Sequence, residues 1–205
     1  MTWTAVLAFW AVSILFVLTP GADWAYAISA GLKGRRVIPA VAGLLCGHLL
    51  ATLVVAGGVG SLVTRHPAAL SVLTVAGAGY LLWLGINMLA HPATPHAHAS
   101  REANSWQRWM LKGLCISGLN PKVFLLFLAL LPQFTEPGAT WPVSLQMVLL
   151  GLIHTLSCAV VYLLVGFGAQ AVLQARPVAA RYVSGVSGAA MIVIAGVLLG
   201  EELLG

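Results

Sequence analysis

The sequence predicts an all-α integral membrane protein with six transmembrane helices, arranged as a 3+3 inverted repeat in which helices 1 and 4 are interrupted. Three observations predict this. The 205 residues are 60% hydrophobic and 7% charged, with a mean hydropathy of +0.97, against roughly 45–50% apolar and 25% charged residues in soluble domains. Six apolar runs are each long enough to cross the hydrocarbon core, which takes about 20 helical residues. The same landmarks then occur twice, in the same order, in the two halves of the chain.

The runs extend from Trp3 to Gly31, Val37 to Val63, Ala68 to Leu89, Trp109 to Gln133, Trp141 to Leu173 and Val178 to Leu199. They are long and apolar on all faces, unlike the short alternating segments of a spanning barrel, so strands are not expected. Segment 1 has neither the basic start nor the small-residue cleavage site of a secretory signal, and it is too long for a signal core. It is read as a mature helix.

The net charge of +5 would suggest a nucleic-acid partner in a soluble protein, but here its placement reports topology. Lys33, Arg35 and Arg36 follow segment 1. Arg101, Arg108 and Lys112 lie between segments 3 and 4, and Arg176 and Arg181 between segments 5 and 6. Positive-inside bias assigns these three loops to the cytoplasm and both termini to the outside. The opposite side carries Arg65, Glu136, Glu201 and Glu202.

Segments 1 and 4 each contain a polar residue before proline, Thr19-Pro20 and Asn120-Pro121. Segments 2 and 5 each carry glycine closely followed by histidine, Gly47-His48 and Gly151 with His154. Segments 3 and 6 carry glycine pairs at equal spacing, Gly77 with Gly85 and Gly188 with Gly196. An odd number of crossings per half makes the repeat inverted, a plan that recurs in secondary transporters with a midplane site. The chain accordingly divides into a first repeat, 1–90, a cytoplasmic linker, 91–108, and a second repeat, 109–205. Gly43-x-x-x-Gly47 would allow close helix approach.

Proline removes a backbone donor and disfavours helix in the residue before it, so Thr19-Pro20-Gly21 and Asn120-Pro121 are expected to interrupt their helices. Thr or Asn before Pro resembles an N-cap with proline at the first helical position. A half-helix starting at each break would present free N–H groups and partial positive charge to a carboxylate. An ordinary proline kink is the alternative. Asp23 and Lys122 are the acidic and basic residues deep within the apolar runs. A charge at mid-membrane costs at least about 2.5–3.5 kcal/mol on insertion scales and marks function by default. The substrate-binding set is therefore Thr19, Pro20, Gly21, Asp23, Asn120, Pro121 and Lys122, with a salt bridge between Asp23 and Lys122 as the structural alternative.

His48 and His154 occupy matching places and titrate near neutral pH, which makes them candidates for a proton relay; hydrogen-bonded packing is the other reading. Asn87 and Gln146 are assigned only interhelical hydrogen bonding. Cys46, Cys115 and Cys158 form no C-x-x-C pair and are read as small packing residues. The linker histidines His91, His96 and His98 lack cysteine or carboxylate companions at ligand spacing, so no metal site is assigned to them.

The motifs Thr19-Pro20-Gly21-Ala22-Asp23, Gly31-Leu32-Lys33-Gly34-Arg35, Gly43 to His48, Gly79-Tyr80-Leu81-Leu82-Trp83-Leu84-Gly85, Asn120-Pro121-Lys122 and Leu131-Pro132-Gln133-Phe134 together resemble the lysine exporter (LysE/RhtB) family of bacterial amino-acid exporters. The resemblance runs along nearly the whole chain. It implies an inner-membrane protein that expels amino acids or related metabolites, driven by the proton gradient. Where the family often has a second proline after the first Pro-Gly, this chain has Ala22.

The expectation is thus a secondary transporter for small zwitterions, not an enzyme, with no cofactor and no nucleic-acid partner. Its partners are an amino-acid substrate and the bilayer, and monomer and homodimer both stay open. Divalent metal export and a membrane thiol–disulfide carrier are the competing readings, since the wider superfamily contains both.

Overall fold

The computed structural model describes residues 1–32, 36–65, 68–90 and 105–169, with 185–186, 189, 192–193 and 195–200. The described residues are all-helical, without strands. The linker histidines and most of Val178–Leu199 lie outside them, as do the sixth helix and the two-repeat division as a whole.

Helix α1, Trp3–Leu18, starts at Thr2, whose side chain accepts from the Ala5 N–H. It stops because Thr19 precedes proline and sits in extended backbone, φ −74° and ψ 121°. Helix α2, Ala22–Leu32, resumes after the break at an angle of 59°. Segment 4 breaks for the same reason. Helix α5, Trp106–Gly118, ends before Asn120, which is again extended at φ −76° and ψ 110°. Helix α6, Pro121–Leu130, follows at 52° and leads into a 3-10 turn, Pro132–Phe134.

Between these bent pairs stand helix α3, Val37–Arg65, and helix α7, Val143–Phe167, with helix α4, Ala68–Ala90, against α6. Among the described residues, Val37–Gly58 of α3 and the whole of α7 are each long and apolar enough to cross a membrane, and counting each bent pair as one span gives up to four. Large apolar side chains such as Leu53, Val160 and Leu164 project outward, as lipid contact requires.

Helices α3 and α5 cross closely. A side chain at Gly43 or Gly47 would run into the backbone of Met110, Leu114 or Gly118, and one at Gly113 into the backbone of Ala40 and Leu44. The two helices run parallel there, since Gly43 meets Met110 and Gly47 meets Leu114 and Gly118. α2 ends, and α3 starts, beside Gly166 of α7, so the first bent pair runs against α3 and the second runs with it. The two broken helices therefore have opposite directions.

Two apolar clusters fill the interior. One gathers Phe9, Phe16, Phe127, Leu130, Met147 and Leu150; the other gathers Ile28, Val37, Leu44, Trp109 and Val165. Members of both clusters, Phe16, Val123 and Leu126 from the first and Val17 and Tyr162 from the second, line one cavity.

Gln146, fully buried, departs from the expected interhelical bond. It accepts from the Glu136 N–H and donates to the carbonyls of Glu136 and Trp141. A buried amide satisfied in this way fastens the loop before α7.

Candidate functional site

Only one of the two breaks forms the expected cap. Asn120 accepts from the Lys122 N–H at 3.0 Å with Pro121 at the first helical position. Thr19 does not cap a half-helix. Its hydroxyl donates back to the Leu15 carbonyl at 2.7 Å, and α2 begins at Ala22. The local reason is competition: once the chain turns at Pro20, the preceding helix end offers Thr19 a nearer acceptor than the next helix offers a donor.

Both breaks open onto one cavity of about 50 Å³, which Gly21, Ala22 and Asp23 line from the start of α2 and Asn120, Lys122 and Val123 from the start of α6. His48, His154 and Tyr162 complete it from α3 and α7. Lys122 reaches back across the gap, its Nζ 3.9 Å from the point where a Gly21 side chain would begin.

Asp23 is 7% exposed, and burying a carboxylate without partners is costly. Two hydroxyls meet it. Ser117 Oγ donates to Oδ1 at 3.0 Å, and Tyr162 OH donates to Oδ2 at 3.2 Å. The basic side chain within 4 Å of this carboxylate is not Lys122 but His48, with Nε2 3.6 Å from Oδ2. No ion pair within 4 Å joins Asp23 to Lys122 among the described residues, so the permanent bridge anticipated as an alternative is absent from this arrangement.

His48 Nδ1 lies 3.0 Å from the Leu44 carbonyl. A carbonyl only accepts, so Nδ1 carries the hydrogen and Nε2 is the nitrogen that faces Asp23. His154 stacks on His48 with ring centroids 5.4 Å apart, its Nδ1 2.7 Å from Ser13 Oγ. Phe127 closes edge-on against His154 at 5.0 Å. The polar set Ser13, His154, His48, Asp23, Tyr162 and Ser117 is thus contiguous and enclosed by apolar walls.

Sequence reasoning missed Ser13, Ser117, Tyr162 and the setting of Cys158. A usable signal existed on α7, where His154, Cys158 and Tyr162 recur every four residues and so share one helical face. Ser13 and Ser117 carried none, being ordinary small residues in apolar runs.

Opposed half-helix breaks around a small cavity with buried charge define a helical membrane transporter. The chain belongs to the LysE type translocator family, whose sequence pattern matches residues 14–202. A membrane protein of Vibrio cholerae is 32% identical over 149 residues, 71% of each chain. The homoserine/homoserine lactone efflux protein of Salmonella typhimurium is 30% identical over 67% of this chain and 68% of its own. The cysteine/O-acetylserine efflux protein of Escherichia coli K12 is 29% identical over 76% and 79%. No solved structure matches.

Proposed function

We propose that this protein exports amino acids or closely related small metabolites across the bacterial inner membrane in exchange for protons, by alternating access at the cavity between α2 and α6. The observation that carries the reading is the meeting of Asp23, Lys122, His48 and His154 at the two helix breaks. The names of the relatives support export. Homoserine, its lactone, cysteine and O-acetylserine share an amino group next to an acyl carbon, and the lactone has no free carboxylate. The ammonium is common to that set, and Asp23 is suited to recognise it.

The Asp23 carboxylate has about four acceptor positions, two of them taken by Ser117 and Tyr162. A substrate ammonium and a proton compete for the remainder. Binding one releases the other, which is the elementary requirement of exchange. His48 receives the proton at Nε2, and stacked His154 with Ser13 extends the path. Lys122, with the N–H groups at the start of α6, faces the acyl oxygen or carboxylate. The Pro20 and Pro121 breaks supply the non-helical backbone that lines such a site.

Alternation follows from a cavity lined by members of two apolar clusters, each able to seal one side while the other loosens. In this reading the chain is a 3+3 inverted repeat with both termini outside, joined by the cytoplasmic linker.

Purified protein reconstituted in liposomes under an imposed pH gradient, screened with labelled amino acids beside divalent metals, tests the proposal. Gradient-dependent flux of amino acids is expected. Flux of metals alone, or none from folded protein, would overturn it.

A further inference from the structure

Cys158 is fully buried one helical turn beyond His154. One nitrogen each of His48 and His154 and the sulfur of Cys158 lie within 4.8 Å of one another. We infer that these three side chains form a binding site for a thiophilic divalent cation of the zinc class, which clamps α3 to α7.

The donor set fits the ion. Imidazole and thiolate together suit zinc, and three protein ligands leave the fourth tetrahedral position for water or a carboxylate. Bonds of about 2.0–2.3 Å set ligand atoms roughly 3.3–3.8 Å apart, so the cluster needs a contraction of about 1 Å, within reach of side-chain rotation. The second observation is the outer shell. Metal-bound histidines nearly always have their other nitrogen held by an oxygen. Here His48 Nδ1 is held by the Leu44 carbonyl and His154 Nδ1 by Ser13 Oγ, so Nε2 is the nitrogen each ring would offer to an ion. Asp23 Oδ2, 3.6 Å from His48 Nε2, is a nearby negative charge and a candidate fourth ligand. Both histidines line the cavity, which gives the ion access. On coordination the Cys158 thiol loses its proton to solvent through that cavity.

The consequence for transport rests on the exporter reading above. An ion joining α3 to α7 ties the first half of the chain to the second and occupies the nitrogens of the relay. It therefore arrests exchange rather than serving it.

The site is tested by titrating purified full-length protein with Co²⁺ and following the thiolate-to-metal absorption band in the near ultraviolet, with Zn²⁺ as displacing ion. One equivalent should bind. The band should vanish in Cys158→Ser, and affinity should fall at least about tenfold in His48→Gln and His154→Gln. The band should survive in Cys46→Ser/Cys115→Ser and in a variant with His91, His96 and His98 replaced by alanine. Those two variants locate the thiol and the imidazoles even if Cys158→Ser does not fold. Absence of a saturable band in the wild type, its loss in Cys46→Ser/Cys115→Ser, or its persistence in Cys158→Ser would overturn the assignment. In vesicles, Zn²⁺ should block amino-acid flux. The absorption band is independent of transport, so a protein that binds Co²⁺ as described but moves no amino acid would sink the exporter reading alone.

Discussion

The hydroxyl of Tyr162 donates to Oδ2 of Asp23 at 3.2 Å, linking the long unbroken α7 to the first turn of the half-helix α2. Ser117 makes the matching contact from the end of α5 at 3.0 Å. Three elements thus converge on one carboxylate. Hydrogen bonds to charged groups contribute about 1.5–3 kcal/mol. Tyr162→Phe and Ser117→Ala should therefore each lower flux at low substrate concentration by about tenfold or more, with protein still inserted and monodisperse. Equal flux in wild type and both variants would remove these hydroxyls from the site.

His48 and His154 are stacked beside Asp23, so the relay makes a separable prediction. His48→Gln should abolish accumulation driven by a pH gradient while substrate-for-substrate exchange continues. Loss of both activities together would assign His48 to binding or packing instead.

Helix breaks were legible in the sequence because proline acts locally: Pro20 and Pro121 lack the N–H that would continue the helix, whatever surrounds them. His48 and His154 stood out in the sequence as histidines within apolar runs, but the stacking of their rings did not. Ser13, Ser117 and Tyr162 were not, since a hydroxyl within an apolar run looks the same whether it packs, bonds its own helix or meets a carboxylate on another. Cys158 was passed over because cysteine pairs were sought in sequence, whereas its companions are histidines, one on α3 and one a turn earlier on α7. Thr19 shows the opposite failure. A motif that suggested a cap became a back-bond to Leu15 once the geometry of the bend was fixed.

The α3–α5 crossing gives a stability prediction with its own control. A methyl at Gly43 would strike the Met110 backbone, whereas one at Gly57 meets nothing within 4 Å. Overpacking typically costs about 1–3 kcal/mol, while alanine improves on glycine in a helix by up to about 1 kcal/mol. Gly43→Ala should lower the thermal midpoint in a size-exclusion stability assay, and Gly57→Ala should leave it unchanged or raise it. The reverse order would refute the close crossing.

Glu136 lies in the loop before α7, outside the spans. The Thr2 backbone N–H at 2.9 Å, then the terminal ammonium at 3.1 Å and the Thr2 hydroxyl at 2.9 Å, hold its carboxyl below the ordinary carboxylate range. A carboxylate depressed on folding stabilises above its unfolded pKa of about 4.3, and that contribution is lost as pH falls through the lower folded value. The wild-type thermal midpoint should therefore decline below about pH 4.3, and Glu136→Gln should start lower and decline less. Parallel profiles for the two proteins would show that this latch contributes nothing.

The central claim is that Asp23 holds the substrate ammonium, and competition in counterflow tests it most directly. Unlabelled amino acid, its methyl ester and its N-acetyl derivative are each set against labelled substrate in proteoliposomes. The account predicts that the ester still competes, with reduced affinity, that N-acetylation removes competition, and that Asp23→Asn protein transports none of the three. If the N-acetyl derivative competes as well as the parent compound, Asp23 is not the ammonium anchor and the proposed mechanism is wrong.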